Sequence, residues 1–208
     1  MTRRELLAAS LAAIATGCSG GKKSAKMEPA PAQYKVGMQT TKGDVVILVH
    51  RDWSPIGADH FYELTKMGFY NNNAFFRALK GFVVQWGING DPQVNKSWSD
   101  ISIPDDPPKV SNKTGTVVFA KTSEPNSRTT QVFANLADNS ATLDPQGFTP
   151  FGEVIQGLDN LMHVYMDYGD IPPNGTGPNP AAIADIGNAY LEEHFPKLDH
   201  IKKAQIIS

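Results

Sequence analysis

The sequence predicts a mostly β protein, an antiparallel barrel closed on itself with helices over its ends. Three observations lead there. Short segments of alternating apolar and polar residues recur along the chain. Glycine (18) and proline (15) punctuate them at short intervals, and only two or three segments carry helical spacing. Short strands broken by turns favour a sheet, and closure removes the unpaired sheet edges that invite aggregation. The pattern taken alone also allows other α+β arrangements.

The elements follow in chain order. Residues 34–40 and 44–50 alternate, with Val36, Met38, Val45, Ile47 and Val49 in one rhythm around Thr41-Lys42-Gly43. Two alternating runs about a short glycine turn read as a hairpin. Ser54-Pro55 then announces a helix, because serine caps free amides and proline suits the first helical position. Phe61 and Leu64 give its apolar face, and Gly68 suits its end. Strand-like runs follow at 74–79, 82–86, 116–120, 131–135 and 151–155. A short helix is expected over 158–165 and another over 181–194, the latter an extra C-terminal helix with Ile183, Ile186, Tyr190 and Leu191 at helical spacing. An alternating strand over 201–207 closes the chain. Residues 89–113 form a long polar connection containing Asp105-Asp106, which reads as a charge pair in a loop.

The N-terminus reads as an address. Arg3 and Arg4 precede an apolar or small stretch from Leu6 to Thr16, which leads into the single cysteine, Cys18. A basic start, a short apolar run and small residues before a cut describe a signal peptide, too short to span a bilayer comfortably. The small residues before Cys18 and the Gly/Ser/Lys stretch after it resemble a bacterial lipoprotein box, with Ala15 where leucine is usual. This divides the chain into a signal peptide (1–17), a lipidated N-terminus and flexible tether (18–32) and a folded domain (33–208). The expected location is the cell envelope, anchored to a membrane by lipid on Cys18 and facing the periplasm or exterior. One cysteine makes no internal disulfide, so the core must supply the stability. With 40% hydrophobic and 19% charged residues, a packed core is expected. A net charge of −2 gives no electrostatic case for nucleic acid. The five histidines show no metal-ligand spacing, so neither a metal nor another cofactor is expected, and the protein reads as a monomer.

Three segments carry the chemistry. The first runs from Phe75 to Gly87 and includes Arg77, Gly81, Phe82, Val83 and Gln85. Strand alternation would set Phe82 with Val84 and Trp86 on one face, and Val83 with Gln85 on the other. The second is Gln131-Val132-Phe133-Ala134-Asn135-Leu136, with Gln131 and Phe133 on one face. The third passes from Leu143-Asp144 through Phe148 to Phe151-Gly152-Glu153-Val154.

These segments resemble the cyclophilin family. Phe-x-Arg-x-x-x-Gly-Phe-x-x-Gln and Gln-x-Phe-x-Asn-Leu occur in the family's order and at about its spacing, and the Leu-Asp turn before Phe-Gly-x-Val agrees. The resemblance covers residues 33–207. It implies an eight-stranded barrel capped by two helices and a shallow groove for X-Pro peptides. The implied activity is peptidyl-prolyl cis–trans isomerisation. It implies Arg77, Phe82, Gln85 and Phe133 as catalytic residues, and Val83, Ala120, Lys121, Gln131, Leu143 and Phe148 as substrate-binding ones. Proline-containing polypeptides of exported proteins are the expected substrates. A proline-binding module without turnover, or an envelope scaffold, is the alternative. The chain departs from the family at several groove positions. Val83 replaces a longer methionine, Trp86 a glycine, Lys121 an asparagine and Phe148 a histidine. Thr142 stands where cyclosporin-sensitive members carry tryptophan, so weak cyclosporin binding is expected, and a nanomolar dissociation constant for the domain would refute it.

Overall fold

The computed structural model describes residues 29–98 and 100–208. The signal segment, Cys18 and most of the tether lie outside the described residues. Within the last residues read as tether, Ala30 is buried and its N–H donates to Asp59 Oδ1 (2.9 Å). The chain therefore packs on the domain slightly before position 33.

Strands β1 (Gln33–Thr40) and β2 (Gly43–His50) form the expected hairpin, paired from Gln33–His50 to Thr40–Gly43. Their alternation sends Val36, Met38, Val45, Ile47 and Val49 into the core. Strands β3 (Asn73–Ala74), β4 (Arg77–Ala78), β5 (Val83–Trp86), β6 (Thr116–Phe119), β7 (Val132–Asn135), β8 (Pro150–Gln156) and β9 (His200–Ile207) complete one antiparallel sheet. Its order is β3-β9-β1-β2-β8-β6-β7-β5-β4.

Among the described residues, nine strands stand where eight were expected. The strand predicted over 74–79 is split because its first half pairs with β9 and its second with β5. Between them, the Phe75 N–H donates to Asp199 O (2.9 Å), and beyond them the Leu79 N–H donates to Val83 O (2.8 Å). The two outermost strands are thus consecutive in the chain. The backbone through Phe75 and Phe76 closes the barrel.

Helix α1 (Pro55–Lys66) buries Ala58, Phe61 and Leu64, and α4 (Leu158–Met162) buries Leu161, in the same core as Trp86, Phe119 and Phe151. Gly68 follows α1 at φ 71°, the left-handed geometry that suits glycine at a helix end. Ser54 does not cap α1 through its side chain. Asp106 does so instead, accepting from Ile56 N–H (3.0 Å), Gly57 N–H (2.9 Å) and the Ser54 hydroxyl (2.5 Å). The long connection holds a helix of its own, α2 (Pro92–Trp98), and a bridge from Ile103 to Arg128. A further short helix, α3 (Ser140–Leu143), precedes a 3-10 turn over Asp144–Gln146.

The single C-terminal helix expected over 181–194 is two, α5 (Pro180–Ile186) and α6 (Asn188–His194). The break is Gly187, at φ 76° and ψ −152°. There the chain presses against Gly90, whose carbonyl accepts from Asn188 N–H (3.0 Å), and a β-carbon at 187 would overlap that carbonyl. Ile183 and Leu191 still meet a shared apolar cluster with Phe76 and Ile88, while Ile186 is exposed.

Candidate active site

The sheet lines up residues that lie far apart in the chain. Arg77 on β4 pairs with Gln85 on β5, Gln85 pairs with Phe133 on β7, and Phe133 pairs with Val118 on β6. Directly opposite residues in an antiparallel sheet point to the same side. One row therefore runs from a cation through an amide to an aromatic ring. Gln131, two residues before Phe133, lies on that side too, and its Oε1 accepts from Gln85 Nε2 (2.9 Å).

The opposite sides of β5 and β7 carry Val84, Trp86, Val132 and Ala134 into the main core. Val83, Val118, Phe133 and Leu143 form a separate apolar cluster, with Phe82, Ala120 and Phe148 packed against it. Phe82 thus sides with Val83 and not, as alternation predicted, with Val84 and Trp86. The reason is local. Phe82 belongs to the turn through Gly81 (φ 69°), ahead of the first residue of β5, and its N–H donates to Leu79 O (3.0 Å).

Buried asparagines hold the walls. Asn139 Nδ2 donates to the Phe82 carbonyl (2.9 Å) and to Asn135 Oδ1 (2.7 Å). Asn112 Nδ2 donates to the Phe148 carbonyl (2.9 Å) and to Asp144 Oδ1 (2.8 Å). Satisfied buried networks of this kind fix one arrangement, because a half-satisfied one is costly. The Phe148 ring meets Phe133 edge-on at 5.7 Å, and the Lys121 ammonium sits 5.7 Å from the Phe148 ring.

The result is an open cavity of about 200 Å³ lined by Arg77, Phe82, Val83, Gln85, Ala120, Lys121, Phe133, Leu143, Phe148 and Ile171. Nine of the ten residues singled out in the sequence surround it. The tenth, Gln131, touches it through Gln85. A cavity of about 400 Å³ lies elsewhere, between α6 and the β3–β9 edge, and holds none of them.

Two participants had no signal in the sequence. Asp170 takes Arg77 Nε (2.6 Å) and Nη2 (3.1 Å) on its two carboxylate oxygens, and Ile171 adds to the cavity wall. Both lie in a stretch that reads only as a Pro/Gly loop. Arg77 Nη1 donates to Gln85 Oε1 (3.3 Å), and the guanidinium lies 5.8 Å from the Phe82 ring. Three of the five guanidinium N–H groups are engaged, leaving two for a ligand. The hydrogen bonds from Arg77 hold the Asp170 carboxyl below the usual carboxylate range, against the opposing effect of partial burial. No group of three or more His, Cys, Asp or Glu among the described residues is placed to hold a metal.

A small antiparallel barrel carrying an arginine–glutamine–phenylalanine row beside an apolar pocket defines the class as a prolyl-isomerase barrel. Residues 35–172 match the family described as cyclophilin type peptidyl-prolyl cis-trans isomerase/CLD, and the chain belongs to that family. A peptidyl-prolyl cis-trans isomerase of Acinetobacter baylyi is 33% identical over 131 residues, covering 62% of this chain and 70% of that protein. Peptidyl-prolyl cis-trans isomerase B of Escherichia coli is 32% identical over 131 residues, covering 60% and 79%. A cyclophilin-type isomerase crystal structure from Cryptosporidium parvum superposes with a TM-score of 0.60 at 19% identity, covering 85% of this chain and 98% of that one. Another crystal structure of that protein was determined in the presence of the dipeptide Ala-Pro. The enzyme is a peptidyl-prolyl cis–trans isomerase.

Proposed function

We propose that this isomerase acts on X-Pro bonds of exported proteins while anchored in the cell envelope by lipid on Cys18, as a monomer facing the periplasm or exterior. Arg77 drives the reaction. No covalent bond is made or broken. The barrier, ~18–20 kcal/mol, comes from lost amide resonance as the C–N bond twists. At the twisted state the proline nitrogen turns pyramidal and accepts a hydrogen bond. Arg77 donates there or to the adjoining carbonyl without giving up a proton, since arginine stays charged. Phe82, Val83, Phe133, Leu143 and Phe148 seat the prolyl ring. Gln85 and Gln131 orient Arg77 and the peptide backbone, and Ala120 and Lys121 border the peptide's path. Only contacts stronger in the twisted state than in either planar isomer raise the rate.

The observation that carries this reading is Arg77 at the rim of the apolar cavity, with two N–H groups unengaged. NMR exchange spectroscopy on an alanyl-prolyl tetrapeptide tests it, comparing the wild-type domain with Arg77→Ala. A large rate loss with peptide binding retained supports the reading. Equal rates overturn the arginine mechanism, and binding without acceleration by the wild type makes the groove a proline-binding module instead. Mass spectrometry of the mature N-terminus tests the anchor. A di- or triacylated Cys18 supports it, and an unmodified Cys18 overturns it.

A further inference from the structure

The loop carrying Asp170 and the two helices after it stand outside the arginine mechanism as described, yet they reach its central residue. Arg77 and Asp170 meet through two charge-assisted hydrogen bonds, and each side chain is 21% exposed. Such forked pairs fix a guanidinium's plane as well as its position. Asp170 is itself held. The Ile171 N–H donates to Asp170 Oδ1 (2.7 Å), and the Gly177 N–H donates to the Asp170 carbonyl (2.9 Å). A β-carbon on Gly177 would lie 2.9 Å from that carbonyl. The loop folds tightly enough around Asp170 to leave no space there for a side chain.

Behind the loop, Ile183 of α5 and Leu191 of α6 share an apolar cluster with Phe76, the neighbour of Arg77, and Ile171, the neighbour of Asp170, packs against that cluster. One apolar cluster therefore ties the backbone on both sides of the ion pair. We infer that Asp170 is a positioning residue for Arg77, and that the helical segment α5–α6 serves to hold it there. This rests on the reading of Arg77 as the donor to the twisting amide.

Two effects of the carboxylate oppose each other. It neutralises part of the guanidinium's charge, which weakens its pull on the amide. It also removes the rotamer freedom of a long side chain that Gln85 holds only by one 3.3 Å bond. A donor displaced by about 1 Å can lose on the order of 100-fold in rate. The remaining charge still faces an apolar cavity. Orientation is the larger effect, so Asp170 supports turnover and does not restrain it.

The test compares wild type, Asp170→Asn, Asp170→Glu, Arg77→Ala and the Arg77→Ala/Asp170→Asn double variant. Each is assayed by exchange spectroscopy on the same tetrapeptide, with its affinity titrated separately. Asp170→Asn is expected to lower turnover roughly tenfold with affinity within about twofold, and Asp170→Glu to recover most of the loss. In the Arg77→Ala background, Asp170→Asn should change the rate by less than about twofold, because both substitutions remove one interaction. A nitrogen-15 spectrum should show the Arg77 Nε–H signal move toward that of a solvated arginine in Asp170→Asn. An Asp170→Asn variant as active as wild type, or faster, overturns the inference while leaving the arginine mechanism in place. So does an equal further loss in the double variant, which would mark a merely structural role. An Arg77→Ala variant as active as wild type overturns the arginine mechanism and this inference together.

Discussion

Among the arginine–aspartate pairs of the described residues, two differ in a way that separates structure from chemistry. Arg128 and Asp106 are buried, with side chains 4% and 3% exposed and joined at 2.9 Å. Arg77 and Asp170 lie at the rim of a cavity, joined at 2.6 Å. Burial alone would raise the Asp106 carboxyl. Hydrogen bonds from Ser54, Ile56, Gly57 and Arg128 outweigh it and hold the carboxyl below its ordinary range. Arg128 also donates to Ser54 Oγ (3.3 Å) and to the Pro104 carbonyl. The buried pair thus stitches the long connection to the start of α1. The rim pair has fewer partners, and its guanidinium, which engages three N–H groups as that of Arg128 does, borders a cavity. An ion pair sealed from solvent by the segments it joins holds a fold together, and one at the rim of a cavity can act on a ligand.

The contrast breaks most readily at the buried pair. Asp106→Ala strands the Arg128 charge and frees the first amides of α1, and should cost about 3–5 kcal/mol by chemical denaturation. A cost below about 1 kcal/mol would erase the distinction. Next comes acid. His60, on α1 near Arg128, is pushed down to about 4 by burial first, with Arg128 adding to it and the Thr129 carbonyl opposing. Its folded form resists protonation, so the unfolded chain binds the proton more readily. Stability is full above pH ~6.5 and falls as pH drops toward 4, by an amount on the order of 3 kcal/mol. Denaturation at pH 7 and pH 4.5 measures this, and His60→Gln should flatten the slope.

At the rim, Arg77→Ala should reduce kcat/KM roughly 100-fold, about 2.7 kcal/mol of barrier, while moving stability by less than about 1 kcal/mol. A large stability loss there would make Arg77 structural like Arg128. The smallest effect is expected from Phe133→Ala, which should weaken affinity for the tetrapeptide by roughly tenfold, with turnover of bound peptide less affected.

Much of this was legible in the chain. The β1–β2 hairpin, α1 and the strands bearing Gln85 and Phe133 follow from alternation and helical spacing, since buried faces demand those periods. Phe75, Phe76, Phe119 and Phe151, aromatic residues in or beside the strand-like runs, are all buried. The misses share a cause. Asp106 and Asp170 are polar residues in loops, where no periodicity exists to mark them, and each matters through a partner 22 or 93 positions away. Gly187 breaks the C-terminal helix because another backbone segment, at Gly90, crowds it.

The sequence by itself determined the family and nine of the ten cavity residues, because three ordered segments carry the resemblance that implies both. Only the tertiary structure decided the state of Arg77. A guanidinium's orientation depends on which distant loop brings it a carboxylate, and chain proximity carries no record of that. It also decided where the barrel closes, since the Phe75–Phe76 passage between β3 and β4 is set by partners at opposite ends of the sheet.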